Sequence, residues 1–395
     1  MWIYYVVSIP PILILIYFIF FVPVNYKSKD SKDKRTAINR SRKLRKNGKN
    51  IPPPFPNGWF CLMGSNELEP GTAKDVNCLG ENFVVFRSAV TKEVYVLDAY
   101  CTHMGANLGV GGIVKDECIE CPFHQWKFSG KDGSLVSIPY SEDIKSVQKM
   151  AKMRKWISKE INKLIFVWYH AENEEPWDIP IVQEVENDKF WLHGTNDFII
   201  YSHIQDIPEN GADRAHLATV HGPNILAGTD IRTFRDKLLS IGLHLWDAKW
   251  NACEGKLKHI AKASIDHVVE VLKVKFFQLE ADVTQIGPGY VVLKLKTFYG
   301  NVTILQTVTP IEPMKQRLMH FFYGTPWNGL FMKFTIFGET VNVARDAMVW
   351  DNKTFIRNPL LPKEEKQIRL YRNWFSQFYS ENSKSFQEAY NDLSW

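Results

Sequence analysis

Hydrophobic positions are very unevenly spread along this chain. Met1 to Asn25 contains no charged residue and Ile3 to Val24 is an almost unbroken apolar run, as long as the roughly 20 residues needed to cross a bilayer core. The pattern predicts a membrane-spanning helix, with Pro10, Pro11 and Pro23 tolerated because neighbouring groups in a membrane can re-satisfy the backbone. A cleaved signal peptide would open on basic residues and end at a small-residue site, and Met-Trp-Ile-Tyr-Tyr supplies no base while no A-x-A pattern follows. Residues 1–25 are therefore expected to be a transmembrane anchor and 26–51 a tether.

From Pro52 the pattern changes to short apolar alternations between polar turns. Residues 57–62, 81–87 and 93–98 read as strands, and 161–168 closes an all-β domain over 52–180. The Pro-rich Glu175-Pro-Trp-Asp-Ile-Pro180 marks the crossing into a second domain, 181–395. There, strands near 267–278, 290–299 and 302–309 lie between an early helical stretch ending at His221 and a late helix after Glu339. A chain of 395 residues can enclose two cores, so the fold class is α+β, with two domains behind an N-terminal membrane helix. Neither an internal repeat nor a dinucleotide-binding glycine fingerprint is present.

Charge sharpens the topology. The formal net charge is +5, but residues 27–49 carry eleven Lys/Arg against Asp30 and Asp33, a local +9 that leaves the remainder near −4. The basic balance is confined to the tether and does not point to nucleic acid. Behind a span it would put the following domains in the cytosol, although a solvated tether has the same composition. Six cysteines in 395 residues fit a reducing compartment rather than a disulfide scaffold.

Two constellations carry chemistry. Cys101-Thr-His103, seventeen residues and Cys121-Pro-Phe-His124 place one Cys/His pair on each of two loops. That is the ligand set of a Rieske [2Fe–2S] centre, two thiolates on one iron and two imidazoles on the other. Gly105, Gly109, Gly111, Gly112 and Pro122 supply bends for the loops. Structural zinc would want two C-x2-C pairs, and only Cys118 and Cys121 make one. The second constellation is Glu209, Asp213, His216 and His221. Its two histidines can enter one cavity from a helix and its end, as in a facial triad of two histidines and a carboxylate on Fe(II). The carboxylate is left open among Glu339, Asp346 and Asp351, because apolar neighbours surround both aspartates. His203, His244, His259, His267 and His320 have no ligand spacing and read as packing or polar residues.

Together the motifs C-x-H-x17-C-x2-H and acid-x3-Asp-x2-His-x4-His resemble the Rieske non-haem iron oxygenases. Cys-Thr-His-Met-Gly-Ala-Asn-Leu, Cys-Ile-Glu-Cys-Pro-Phe-His-Gln-Trp and Ile-Pro-Glu-Asn-Gly-Ala-Asp-Arg-Ala-His-Leu are similar to the animal cholesterol 7-desaturases of the Neverland type. The resemblance covers roughly residues 55–355 and implies a Rieske domain followed by a helix-grip domain, an antiparallel sheet wrapped on helices around an apolar pocket. It assigns Cys101, His103, Cys121 and His124 to the cluster, and His216, His221 and, by the family's acid-before-Ile/Val-Trp pattern, Asp346 to the iron. Asp213 would be the bridging aspartate that links a cluster histidine of one subunit to an iron-ligating histidine of its neighbour, which implies a homotrimer.

The implied reaction is the 7,8-desaturation of cholesterol with O2 and electrons from a separate NAD(P)H-dependent reductase or ferredoxin. With an anchor, the expected location is a single-pass protein of the endoplasmic reticulum with its catalytic domain in the cytosol. Arg214 stands where a small or apolar residue commonly follows the bridging aspartate, which bears on the substrate rather than the metal. A Rieske hydroxylase of another steroid or polycyclic lipid is the alternative within this chemistry, and a tethered electron carrier the alternative outside it. A respiratory-type Rieske protein would add a cysteine in each loop, and Ala106 and Phe123 stand in that neighbourhood.

Overall fold

The computed structural model describes residues 11–29, 34–36, 38, 51–233 and 242–393. Of the apolar N-terminal run, residues 11–24 are described. Helix α1, Pro11–Phe21, has 11 residues, about 16 Å at the helical rise against a hydrocarbon core of about 30 Å. Pro23 cannot continue it, and Val24–Lys27 (β1) becomes an edge strand lying parallel to residues 194–197. Lys333 Nζ donates to the Val22 carbonyl at 2.8 Å, and Gly329 lies so close that a Cβ there would come within 2.5 Å of Phe20 Cα. Among the described residues no helix is long and apolar enough to cross a membrane. The expectation of an N-terminal membrane helix, and of single-pass placement in the endoplasmic reticulum built on it, is corrected accordingly. The described part of the apolar run goes into a short helix and an edge strand. Residues 1–10 and most of the basic tether lie outside the described residues.

The chain divides into two units. One comprises Pro52–Val182 with Thr309–Pro313 and Phe378–Trp395. Its strands are β2 (Gly58–Gly64), β3 (Ala73–Cys78), β4 (Glu81–Arg87), β5 (Val94–Asp98), β6 (Ile113–Lys115), β7 (Cys118–Glu120), β8 (Lys127–Ser129), β9 (Leu135–Ser137), β10 (Ser158–Ile161) and β11 (Leu164–Tyr169). They form three small sheets, ordered β10-β11-β2, β3-β4-β5 and β6-β7-β8-β9. Val84, Phe86, Leu97, Leu108, Ile119 and Phe128 are fully buried among them, which fixes the strands that flank the two Cys/His loops. The C-terminal segment joins this unit, with Asn57 N donating to the Phe378 carbonyl at 2.7 Å.

The other unit comprises Met1–Ile51, Gln183–Val308 and Met314–Gln377. It contains β12 (Trp191–Ile200), helix α2 (Arg214–Val220), β13 (Leu243–Ala252), β14 (Ile260–Val271), β15 (Val274–Ile286), β16 (Tyr290–Thr297), β17 (Gly300–Glu312), β18 (Lys315–Gly324), helix α3 (Gly329–Trp350) and helix α4 (Lys366–Phe375). Eight strands make one sheet in the order β1-β12-β18-β17-β16-β15-β14-β13. The stretch 267–278, expected as one strand, is a hairpin that turns at Leu272 and Lys273, both at positive φ (51° and 66°). Helix α3 covers the sheet, its Met332 and Ile336 packed against Ala281, Leu295, Val302, Ile304 and Phe322. That packing brings the last turns of α3 to α2.

Candidate metal centres

The two Cys/His loops are conformational copies of each other. Cys101 N donates to the Ala106 carbonyl at 2.9 Å and Gly105 N to the Cys101 carbonyl at 2.9 Å; in the second loop Cys121 N donates to Trp126 O at 2.8 Å and Gln125 N to Cys121 O at 3.0 Å. Each turn closes through a residue at positive φ, Gly105 at 73° and Gln125 at 59°. Cys101 and Cys121 are buried. Burial, with the neighbouring Cys121 adding to it, pushes the Cys101 thiol up to about 11, so this thiol resists ionisation unless a cation neutralises it. The His103 and His124 rings lie 4.7 Å apart, and His103 stacks on Trp126 at 4.3 Å. Both Nδ1 atoms are buried with no hydrogen-bond partner. Buried imidazole nitrogens left empty are costly, and two of them beside two thiols fit a [2Fe–2S] group with its Cys2His2 donors.

The second centre is built by α2 and α3. Asp213 caps α2, its Oδ1 accepting from Ala215 N at 3.0 Å and His216 N at 3.2 Å, an N-cap that satisfies two otherwise orphaned donors. His216 follows in the first turn and His221 leaves the helix at its C-cap, with φ −104° and ψ −3°. Their rings stand 5.2 Å apart and nearly perpendicular. Helix α3 adds Asp346, whose Oδ1 is 3.1 Å from His221 Nε2. One donor atom from each of His216, His221 and Asp346 lies within 4.8 Å of the others. His216 Nδ1 is hydrogen-bonded to the Asp213 carbonyl, which leaves Nε2 as its ligand atom. Burial lowers the His216 pKa. Burial also pulls His221 down, but the adjacent Asp346 carboxylate outweighs it and the net shift is upward. A half-buried and a buried imidazole with a half-buried carboxylate fit a divalent iron with open positions.

Of the other carboxylates named from the sequence, Asp351 and Glu209 are engaged elsewhere. Asp351 Oδ1 accepts from Tyr201 N at 2.7 Å and its Oδ2 pairs with Lys34 at 2.8 Å. Glu339 lies 3.8 Å from His320 Nε2. Glu209 is paired with Arg372 at 2.6 and 2.9 Å. Sequence reasoning missed Arg345, fully buried beside Asp346. Its guanidinium donates to the carbonyls of Gly228, Pro223 and Asn224 at 2.8–2.9 Å and of Val220 at 3.3 Å. It also missed Trp246, whose Nε1 donates to the His221 carbonyl at 3.2 Å; His244 and His267, read from the sequence as packing or polar residues, are joined to each other at 2.8 Å. The alternation of His244 and Trp246 along one strand face was the available signal.

Comparison with known proteins decides the family. Residues 58–148 match the Rieske [2Fe–2S] domain, and residues 167–379 match the 3-ketosteroid 9alpha-hydroxylase C-terminal domain. The cholesterol 7-desaturase of Drosophila melanogaster is 44% identical, over 97% of this chain and 92% of its own length. The chain belongs to the cholesterol 7-desaturase family of Rieske non-haem iron oxygenases. Its cofactors are a [2Fe–2S] cluster and a mononuclear ferrous iron. Among solved structures, Pseudomonas putida CBB5 NdmA with caffeine is similar in fold, with TM-score 0.61 at 15% identity over 85% of this chain and 94% of that one. The oxygenase of carbazole 1,9a-dioxygenase, solved in complex with its ferredoxin, has TM-score 0.56 at 18% identity over 86% of this chain and 94% of that one.

Proposed function

We propose that this Rieske oxygenase is a cholesterol 7-desaturase. It takes one hydrogen each from carbons 7 and 8 of cholesterol to give 7-dehydrocholesterol, while O2 with two further electrons and two protons becomes two molecules of water. The electrons come from NAD(P)H through a separate reductase or ferredoxin, since the chain has no dinucleotide-binding fingerprint. The observation that carries this reading is the kinship with the Drosophila melanogaster enzyme along 97% of the chain.

Cys101, His103, Cys121 and His124 would hold the cluster, and His216, His221 and Asp346 the iron. When bound, these groups supply electron storage and the oxygen chemistry that breaks an unactivated C–H bond. The protein's own part is geometric. Asp213 fixes the start of α2 and, through its carbonyl, the orientation of His216. Its second carboxylate oxygen makes no hydrogen bond among the described residues, and the side chain is 28% exposed, which supports a link from Asp213 to a cluster histidine of a neighbouring copy in a homotrimer. Arg345 ties the segment after His221 to the helix that carries Asp346.

The deciding experiment incubates purified protein with cholesterol, O2, NADPH, ferredoxin and a ferredoxin reductase and follows the ultraviolet absorbance of a conjugated diene. A diene is expected. The match to the 3-ketosteroid 9alpha-hydroxylase C-terminal domain favours one second reading, hydroxylation of another steroid, and a hydroxylated product without diene would establish that instead. Sedimentation of the wild type and Asp213→Ala tests the trimer: a monomer with full activity would remove both the trimer and the bridging role.

A further inference from the structure

One face of α3 leads away from the metal triad. Phe331, Thr335, Gly338, Glu339, Asn342 and Asp346 recur at helical spacing, and all are half-buried rather than packed shut. Gly338 sits in mid-helix, where glycine costs about 1 kcal/mol relative to alanine, and a Cβ there would meet nothing within 4 Å. Facing this stripe is a wall of rings that runs from His221 through Trp246, His267 and Phe277 to Phe331, with successive centroids 3.8–6.4 Å apart. Glu339 lies deep in this unit, with burial raising its carboxyl pKa, yet 31% of its side-chain surface remains accessible. That accessible surface lies next to the open position at Gly338. The 3.8 Å to His320 is too long for a hydrogen bond, and His320 Nε2 is already 3.1 Å from Gln306 Oε1. Asn342 interacts with Glu339 and with His221, which links the acid to the candidate metal triad along this face of the helix.

We propose that the Glu339 carboxyl hydrogen-bonds the substrate's hydroxyl group and thereby sets which carbon faces the iron. This rests on the sterol reading above and adds the residue that gives the reaction its position. Glu339 and Asp346 are seven residues apart, two helical turns or about 10.5 Å along α3. In cholesterol the hydroxyl oxygen on carbon 3 and carbon 7 are separated by two fused rings, about 6 Å at ordinary bond lengths. A reacting carbon stands a further ~3–3.5 Å from its oxidant. With a hydrogen bond of about 2.7 Å at the hydroxyl the substrate path is about 12 Å, comparable with the helical separation of the two carboxylates, and the wall of rings offers a surface on which a fused-ring skeleton can lie. A pocket that hydrogen-bonds one hydroxyl discriminates strongly against an analogue lacking it, because its own polar group is then left unpaired.

The test compares cholesterol with its 3-deoxy analogue, cholest-5-ene, on wild-type holoenzyme, Glu339→Gln and Glu339→Leu. Diene formation and equilibrium binding of the two radiolabelled molecules are both measured. Wild type should prefer cholesterol by at least about tenfold in kcat/KM and in affinity. Glu339→Leu should lose that preference by falling on cholesterol while staying within about twofold on the analogue, and Glu339→Gln, which can still hydrogen-bond, should keep most of it. Cluster absorbance and iron content report on folding independently of turnover. If wild type makes diene but Glu339→Leu retains the full preference for cholesterol, the role of Glu339 is overturned while the desaturase reading stands. If wild type neither binds cholesterol nor makes diene, the desaturase reading itself fails and the role of Glu339 with it.

Discussion

Asp346 Oδ1 stands 3.1 Å from His221 Nε2, a carboxylate from the long helix meeting an imidazole at the end of a short one. With His216 it completes a set of donors within 4.8 Å. Asp346→Ala should therefore lose the mononuclear iron while keeping the cluster spectrum. Turnover should fall by at least the roughly 10–100-fold that even outer-shell changes at metal sites produce. Asp351→Ala should leave iron content unchanged, because Asp351 is engaged with Tyr201 and Lys34. Metal analysis of the two purified variants separates them.

Arg345 holds the segment on either side of His221. Its four donations to half-buried carbonyls need a planar fork that a lysine lacks. Burial lowers the Arg345 pKa to about 10, still well above neutrality, so the charge persists and its hydrogen bonds are charge-assisted. Arg345→Met leaves those carbonyls unpaired and should cost about 1–3 kcal/mol. Arg345→Lys should recover only a small part. Denaturant midpoints give the cost, and a parallel fall in iron content would tie it to the site.

The two Cys/His loops were legible because their pattern is local: a Cys and a His one or two residues apart can only serve a metal together if they sit on the same loop. For the third carboxylate the residues alone left Asp346, Asp351 and Glu339 open, and only the family resemblance favoured Asp346. All three occur in one helical run with apolar neighbours, and what separates them is distant: Asp351 is held by Tyr201, whereas Asp346 meets His221. The hairpin between β14 and β15 escaped for a different reason. Its two central residues have the positive φ of a tight hairpin turn, yet they are Leu272 and Lys273 where Asn-Gly would be the usual signal. The apolar N-terminal run misled because hydropathy does not register where Pro23 stops a helix, nor that Val24–Lys27 can pair with a sheet edge.

In the unit that carries the Cys/His loops, Glu160 accepts from Arg87 at 2.7 and 2.9 Å. Burial would raise the Glu160 carboxyl pKa, but the guanidinium outweighs it and the net shift is downward. A carboxyl with a depressed folded pKa contributes stability that is fully present above its unfolded value of about 4.3 and lost as pH falls through the folded pKa. Glu160 is 33% exposed, so solvent screening holds the contribution to about 1 kcal/mol. Glu160→Gln should thus melt below wild type at pH 7, and the gap should narrow on acidification below pH ~4. Cluster bleaching during heating reports this unit alone. A gap that stayed constant down to pH ~3 would show that the pair contributes through packing and not through charge.

Gly105 and Gly109 look alike in the sequence, and the structure gives them different work. Gly105 closes its turn at φ 73°, and a Cβ there would meet nothing within 4 Å. The matching position of the second loop is filled by Gln125 at φ 59°, so a side chain in that conformation is already tolerated. Gly105→Ala should cost only about 1 kcal/mol and keep the cluster. Gly109 has no special φ, but a Cβ would lie 2.6 Å from the backbone of Asp75 on β3. Asp75 also holds this loop through Asn107 at 2.9 Å. Gly109→Ala must push the loop away from the strand, which should cost about 1–3 kcal/mol and displace Cys101 and His103 from their counterparts. The visible absorbance of the two purified variants decides: Gly105→Ala should match wild type per chain, and Gly109→Ala should show a reduced cluster content. Equal cluster content in both would mean that the approach of Gly109 to Asp75 does not set the position of the loop.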